Sequence, residues 1–312
     1  MSNHTGHGHD HHGNDGNCGH RHDSAQGHHH DPADPDWDVM GPLLERNAEL
    51  SSEQYTEAAR WIAALPTAPK VRRILDIGSG PGVITCLLAE LFPEAEAVAV
   101  DGTPALLERT RARAERLGLG DRVTTLHTEL PEGLDALGPA DLIWAGNTLH
   151  HMGDQRAVLA GLAGLLNPGG TLALVEGGLQ PRHFPRDLGF GRAGLEARME
   201  AAQAELFDEM RAELPGATRE TEDWAALFTA VGLTPQGTRS FLLDLPAPLG
   251  PEALAHVVQE FTRRRDILAE RLDADDVATL QRLTDPEDPA GLHHRRDTYL
   301  LMARTVHLGR RD

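Results

Sequence analysis

The sequence predicts an α/β protein with a doubly wound, mostly parallel sheet, and three observations lead to this prediction. Patterns typical of buried strands and of amphipathic helices alternate along the chain from Val71 onward. A glycine loop, with Gly78, Gly80 and Gly82, joins one such strand to one such helix. The next strand ends in an acid, Asp101, about 20 residues further on. Alternation of this kind builds one parallel sheet with helices on both faces.

The glycine loop follows the apolar run Val71 to Ile77 and precedes a helix that Pro93 ends. Glycines allow backbone angles that other residues avoid, and they let a ligand approach the main chain in front of free helix N–H groups. The spacing is GxGxG, whereas a dinucleotide fingerprint is GxGxxG. This spacing disfavours a nicotinamide-dependent oxidoreductase.

Two motifs resemble those of the class I S-adenosylmethionine-dependent methyltransferases. LDIGSGPG, which contains Asp76, is similar to their first motif, and VAVDGTP, which contains Asp101, is similar to their second. The resemblance implies S-adenosylmethionine as cofactor. It implies that Asp76 lies near the methionine amino group, that Asp101 holds the ribose, and that Gly78, Gly80 and Gly82 form the loop against the cofactor.

Later segments continue the resemblance. Glu129 falls where the family often has an acid near the adenine; the alternative is a solvated loop carboxylate. ADLIWAGNTLHHMGD resembles the fourth motif, especially in the ubiquinone and menaquinone C-methyltransferase-like group, which implies that Asn147 lies at the floor of the methyl-transfer site. The family implies a seven-stranded Rossmann-like sheet ending in an antiparallel hairpin, with helical insertions at about 180–219 and 247–290.

His150 and His151 follow the fourth predicted strand, on the rim where an acceptor should lie. Imidazole titrates near neutral pH and can take a proton from an acceptor. Successive side chains point in different directions, so we expect at most one histidine to reach the cleft. His150 is favoured because related sequences have a histidine directly after the Asn-x-Leu turn. Alternatively, one histidine hydrogen-bonds the turn and the other faces solvent.

Residues 1–38 form a separate segment that contains ten of the 18 histidines and almost nothing apolar, so we expect a disordered tail before a domain at 39–312. Its clustered histidines are candidate ligands for Ni or Zn: His9, His11, His12, His28, His29 and His30. Incidental affinity of a solvated tail is the alternative. The first predicted helix spans Ser51 to Leu65, with Tyr55 on its apolar side.

Charge and hydropathy exclude several classes of partner. The chain has 29 basic and 48 acidic residues, a net charge of −19, which disfavours nucleic acid and anionic membranes. No long apolar run is present, and we expect a cytoplasmic protein. A local basic cluster, Arg182, His183, Arg186 and Arg192, matches an anionic substrate group or a solvated surface.

The predicted function is S-adenosylmethionine-dependent methyl transfer to a small-molecule acceptor. Two alternatives come from other classes: a non-catalytic methyltransferase-like module that binds metal or a partner, and, less favoured, an NAD(P)-dependent oxidoreductase. The sequence leaves the acceptor and the oligomeric state open.

Overall fold

A computed structural model describes residues 36–66 and 70–312. Seven strands of this part form one sheet: β1 (Arg73–Ile77), β2 (Glu96–Asp101), β3 (Val123–His127), β4 (Ala140–Gly146), β5 (Leu166–Arg182), β6 (Thr234–Leu245) and β7 (Leu300–Arg310). Their order is β3-β2-β1-β4-β5-β7-β6. The first five strands run parallel, and β7 is antiparallel to both β5 and β6. The predicted doubly wound sheet and its edge hairpin are confirmed.

The chain leaves β1 in one direction to build β2 and β3 and then returns to place β4 on the other side of β1. Such a switch point opens a crevice outside the carboxyl ends of the strands, where ligands bind in this class of fold. The glycine loop and the turn after β4 both lie at this edge.

Helices cover both faces of the sheet. Those in the described ranges are α1 (Trp37–Leu50), α2 (Ser52–Ala63), α3 (Val83–Leu91), α4 (Pro104–Arg116), α5 (Gln155–Leu165), α6 (Leu195–Glu213), α7 (Trp224–Ala230), α8 (Pro251–Leu268) and α9 (Ala274–Thr284). In β1, Ile74 joins the apolar core that includes α2 and α3, and Leu75 joins the core that includes α5 and α7. Alternate residues of a strand thus bury on opposite faces.

The two predicted insertions share a third core. Phe184 and Met199 from the first insertion are buried against Val257, Phe261 and Leu280 from the second. We call the layer formed by residues 184–213 together with α8 and α9 the cap. The insertions are therefore one helical body, although β6 separates them in sequence.

Helix α1 is absent from the sequence prediction, which starts the helices at Ser51; that predicted helix is α2. Helix α1 begins at Trp37, slightly before the predicted domain boundary. Tertiary contacts hold it, because Glu45 accepts a hydrogen bond from Arg113 of α4 at 2.9 Å. It also reaches the cap, where Arg46 donates to Gln259 of α8 at 3.1 Å.

The tail histidines named above lie outside the described residues. Within residues 36–66 and 70–312, no group of histidine, cysteine and acidic side chains is arranged to hold a metal ion. No helix of the same ranges has the length and apolar composition needed to cross a membrane.

Candidate active site

A cleft of about 780 Å³ lies at the carboxyl edge of the sheet, between the ends of β1, β2, β4 and the helices α1 and α2. Eight of the predicted site residues line it: Asp76, Gly78, Gly80, Asp101, Glu129, Asn147, His150 and His151. Gly82 lies outside the lining. The topology thus gathers residues from four strand ends into one cavity.

The glycine loop needs its glycines for different reasons. Gly78, Gly80 and Gly82 all have positive φ, at 65°, 54° and 73°. A Cβ on Gly78 would lie 2.3 Å from Thr148 Oγ1, and a Cβ on Gly82 would lie 2.4 Å from Thr110, so these two permit internal packing. A Cβ on Gly80 would meet no protein atom within 4 Å. Gly80 is therefore the position at which the main chain is open to a ligand.

Asp76 is a buried carboxyl at the floor of the cleft, with 3 % of its surface exposed. Thr85 donates a hydrogen bond to its Oδ2 at 2.5 Å. Burial raises the pKa of Asp76 to about 7; the Thr85 bond opposes this rise, and the charge of Asp101 adds to it. A buried acid of this kind gains most from a cationic ligand group, which would favour its charged form. The neighbouring Ser79 Oγ is also buried and has no protein hydrogen-bond partner in the described part.

Asp101 and Glu129 lie on the β2 and β3 side of the cleft. Asp101 Oδ2 accepts from the Gly80 N–H, and its Oδ1 accepts from the Thr103 N–H, both at 2.8 Å. Each carboxylate oxygen has a second lone pair, so Asp101 can fix the loop and still accept from hydroxyl groups. Glu129 is exposed at the end of the strand.

Asn147 turns the chain out of β4 with a φ of 52°, the only positive φ of a non-glycine residue in the described ranges. Asparagine tolerates this left-handed conformation better than most residues. The Asn147 N–H donates to the Val175 carbonyl at 2.9 Å, and its Nδ2 lies 3.4 Å from the Tyr55 hydroxyl. The turn therefore links β4 to β5 and to α2 at the cleft.

His150 is held by a carboxylate that the sequence analysis did not single out. Its Nδ1 lies 2.9 Å from Oε2 of Glu176, which follows Val175, the last residue of β5 that pairs with β4. The other oxygen, Oε1, accepts from the N–H groups of Thr148 and Leu149 at 3.1 and 2.9 Å. A carboxylate oxygen accepts hydrogen bonds, so Nδ1 carries the proton and Nε2 is the basic nitrogen.

Both histidines line the cleft, so the expectation that only one reaches it is wrong. His150 and His151 lie in one tight 3₁₀ turn, in which the ring centroids approach to 4.2 Å. Burial, the neighbouring His150 and Arg211 lower the pKa of His151, although Glu176 opposes this effect. Arg211 of the cap donates to the His150 and Met152 carbonyls at 2.8 and 2.6 Å and so anchors the turn.

The predicted basic cluster does not lie in this cleft. Arg182 pairs with Glu200 at 2.5 Å, and Arg192 pairs with Asp273 and Asp276 of the cap. His183 is fully buried, with its Nδ1 2.9 Å from Glu196. Arg182 and Arg186 line a separate cavity of about 230 Å³. The cluster is thus divided between the cap's own ion pairs and this smaller cavity.

Residues that the sequence analysis did not assign to the site also line the cleft. Tyr55, Leu44 and Asn47 come from the two N-terminal helices, and Arg304 comes from β7. A polar Asn47 in α1 and a charged Arg304 within a mostly apolar strand were the available signals, but neither has a spacing that indicates a site.

Comparisons with known proteins agree with the geometry. Residues 75–172 match the sequence profile of a family described as a methyltransferase domain. The matched residues run from β1 into β5, so the similarity covers the strands that build the cleft.

Two relatives and one solved structure describe the similarity further. The chain is 38 % identical over 142 residues to trans-aconitate 2-methyltransferase from Methylobacterium radiotolerans, which covers 45 % of this chain and 48 % of the relative. It is 29 % identical over 201 residues to the protein of the same name from Methylobacterium nodulans, with 62 % and 72 % covered. The chain spans about half the length of the first of these curated relatives. A SAM-dependent methyltransferase from Geobacter sulfurreducens, solved with S-adenosyl-L-homocysteine, has a TM-score of 0.44 and 17 % identity, with 81 % of this chain and 90 % of that chain covered.

Proposed function

We propose that the protein transfers a methyl group from S-adenosylmethionine to a small-molecule acceptor. The observation that carries the proposal is the pairing, in one cleft, of the buried Asp76 carboxyl with the open main chain at Gly80. A ligand that has an ammonium group and also needs close main-chain approach fits both features. The match of residues 75–172 to a methyltransferase domain supports the same assignment.

Different residues of the cleft would bind different parts of the cofactor. Asp76 would bind the methionine ammonium, Asp101 the ribose hydroxyls, and Glu129 would lie near the adenine. When bound, S-adenosylmethionine supplies a methyl group that its sulfonium has already activated. The protein's main contributions are then positioning and the exclusion of water.

The acceptor side of the cleft offers a base. His150 Nε2 would accept a proton from an acceptor hydroxyl or carbon acid, while Glu176 holds the ring orientation and stabilises the imidazolium that forms. The His151 ring is tilted by 49° against that of His150 and has no hydrogen-bonded carboxylate among the described residues, so His151 is the weaker candidate.

The chemical class of the methyl acceptor is part of the proposal. The relatives above are named trans-aconitate 2-methyltransferases, which supports a small polar acceptor and does not support the ubiquinone and menaquinone C-methyltransferase-like subgroup. We take small organic molecules as the acceptor class, and trans-aconitate belongs in the first assay panel.

Calorimetry with the purified full chain tests the cofactor. S-adenosylhomocysteine should bind, and NAD should not bind at the same concentrations. Transfer of a radiolabelled methyl group from S-adenosylmethionine to members of the panel would then distinguish an enzyme from a non-catalytic module. Binding of NAD in place of S-adenosylhomocysteine would overturn the proposal.

For the N-terminal segment we propose Ni or Zn binding independent of the cleft, in a cytoplasmic protein. Two observations support this proposal: the histidine-rich composition of the tail and its position before the first helix. Deleting residues 1–36 should remove most metal uptake and leave S-adenosylhomocysteine affinity unchanged. Loss of cofactor binding in the truncated chain would show that the tail is no independent appendage.

A further inference from the structure

Arg304 is a charged residue in the middle of β7, on the wall of the cleft. It pairs with Gly178 of β5 on one side and with Phe241 of β6 on the other. Gly178 has a φ of 122°, and a Cβ there would lie 2.2 Å from the Ala303 carbonyl oxygen. The glycine thus lets β7 approach β5 closely at the point where Arg304 enters the cleft.

The guanidinium of Arg304 has no protein partner in the described part of the chain. Its Nε is buried and makes no hydrogen bond, and none of the described carboxylates lies within 4.0 Å of it. Gln54 donates to the main-chain oxygens beside it, Phe241 O and Met302 O, and leaves Arg304 unpaired. A partly buried cation without a counter-charge is costly, so this arrangement favours an anionic ligand.

The position in the sheet separates Arg304 from the proposed cofactor residues. Three strand spacings, from β1 through β4 and β5 to β7, separate it from the glycine loop. At about 4.8 Å per spacing, the two strands are about 14 Å apart. Asp76 belongs to β1 and Asp101 to β2, and Glu129 follows the end of β3. Arg304 therefore faces the part of the cleft beyond Asn147 and His150, where an acceptor would lie.

We propose that Arg304 binds a carboxylate of the methyl acceptor and that the acceptor is a small organic acid. The planar fork of a guanidinium matches a carboxylate in a bidentate geometry, which would fix the acceptor's orientation as well as its charge. The acceptor's reacting atom then lies toward β4, next to Asn147 and His150. Glu176 is the nearest acid along β5, and it is already engaged by His150 and two main-chain N–H groups. The assignment rests on the proposed methyl transfer.

The test measures binding rather than turnover. The full chain is saturated with S-adenosylhomocysteine and titrated by calorimetry with benzoate, succinate, citrate and trans-aconitate, each beside its uncharged amide. The variant Arg304→Met keeps the apolar stem and removes the charge, and Arg304→Lys keeps a charge without the fork. Arg239→Met is the matched control, because Arg239 lies on the adjacent β6, is exposed, and stacks on Phe241 outside the cleft.

We expect the wild type to bind at least one acid and to bind its amide at least tenfold more weakly. Arg304→Met should lose at least tenfold in affinity for that acid, in line with a lost charge-assisted bond, and Arg304→Lys should be intermediate. The affinity for S-adenosylhomocysteine should stay within twofold of the wild-type value in both Arg304 variants. Arg239→Met should bind the acid as tightly as the wild type does. The proposal is overturned if no acid binds, if amides bind as well as acids, or if both Arg304 variants bind acids like the wild type. Failure of the wild type to bind S-adenosylhomocysteine would instead overturn the proposed function.

Discussion

The side chains of His150 and Glu176 form a hydrogen-bonded pair, 2.9 Å from Nδ1 to Oε2, that joins the turn after β4 to the middle of β5. Glu176→Gln would place an amide where the carboxylate now accepts, and an amide N–H there would favour the opposite imidazole tautomer. Nitrogen NMR of the His150 ring should show Nδ1–H in the wild type and Nε2–H in Glu176→Gln. An unchanged tautomer would contradict the orienting role of Glu176.

For turnover, His150→Gln should lower kcat by about 10²–10⁴-fold, the usual contribution of a general base. His151→Gln is the matched control and should cost less than tenfold. Kinetics with the acceptor found in the labelled-methyl assay would measure both values. Equal, small losses in both variants would leave positioning as the mechanism.

Asp76 should make cofactor binding depend on pH. Its raised pKa, about 7, means that the ligand-free protein holds a proton there below pH 7. If Asp76 ionises to bind an ammonium, S-adenosylhomocysteine binding at pH 6 releases up to about one proton, and binding at pH 8 releases none. Calorimetry in two buffers of different ionisation enthalpy counts the protons. If Asp76→Asn releases the same number of protons on binding as the wild type, Asp76 is not their source.

Asp101→Ala should weaken S-adenosylhomocysteine binding by roughly 1–3 kcal/mol, because an acceptor for hydroxyl groups and the bond to the Gly80 N–H are both lost. Glu96→Ala, at the exposed start of the same strand, is the control and should bind normally. Titration calorimetry measures both. Wild-type affinity in Asp101→Ala would remove its assigned role.

Much of the fold could be predicted because its signals are local. The apolar run up to Ile77, the glycine loop and the helix after Gly82 specify one strand, one loop and one helix within about twenty residues. Helix α1 was missed for the same reason: Gly41 and Pro42 argue locally against a helix, and the ion pair of Glu45 with Arg113 that holds it is non-local.

The acceptor side was harder to predict, because its residues meet only through sheet order. Glu176 reaches His150 across the parallel pairing of β4 and β5. Arg304 enters the cleft because β7 inserts between β5 and β6. The hydrophobic periodicity of the sequence predicts each strand but not which strands lie beside it in the sheet. Neither residue could therefore be assigned to the site from the sequence.

Asn147 should prefer glycine over alanine as a replacement. At its φ of 52°, a residue with an ordinary Cβ costs roughly 1–2 kcal/mol, and glycine does not. Asn147→Ala should therefore be less stable than Asn147→Gly by about 1 kcal/mol in urea unfolding. Tyr55→Phe, which removes only the hydroxyl near Nδ2, controls for the side-chain contact. Equal stability of the two Asn147 variants would show that the turn relaxes.

Glu260 should stabilise the cap in a pH-dependent way. Burial raises its pKa, but the charges of Arg264, His183 and His256 outweigh burial and lower the pKa to about 2; His183 Nε2 lies 3.6 Å from Oε2 of Glu260. The stabilisation is therefore present above the ordinary carboxyl pKa of about 4.5 and is lost as the pH falls toward 2. Glu260→Gln should cost about 3–5 kcal/mol at pH 7, and the difference should shrink below pH 4.

Chemical unfolding at several pH values checks this prediction. Glu209→Gln is its control, because Glu209 forms an exposed ion pair with Arg271 on the cap surface, and such pairs contribute little. A Glu260→Gln difference that stays constant from pH 7 to pH 3 would contradict the assigned cause.

Helix α1 lines the cleft through Leu44 and Asn47, and it also bonds the cap through Arg46 and Gln259. Any ligand that orders α1 therefore acts on α8 as well. Linkage makes such an effect reciprocal. If a ligand bound beneath α1 raises the affinity for a second ligand beneath the cap, the second ligand must raise the affinity for the first by the same factor. The order in which two ligands enter would then change the kinetics of binding but leave their combined free energy the same.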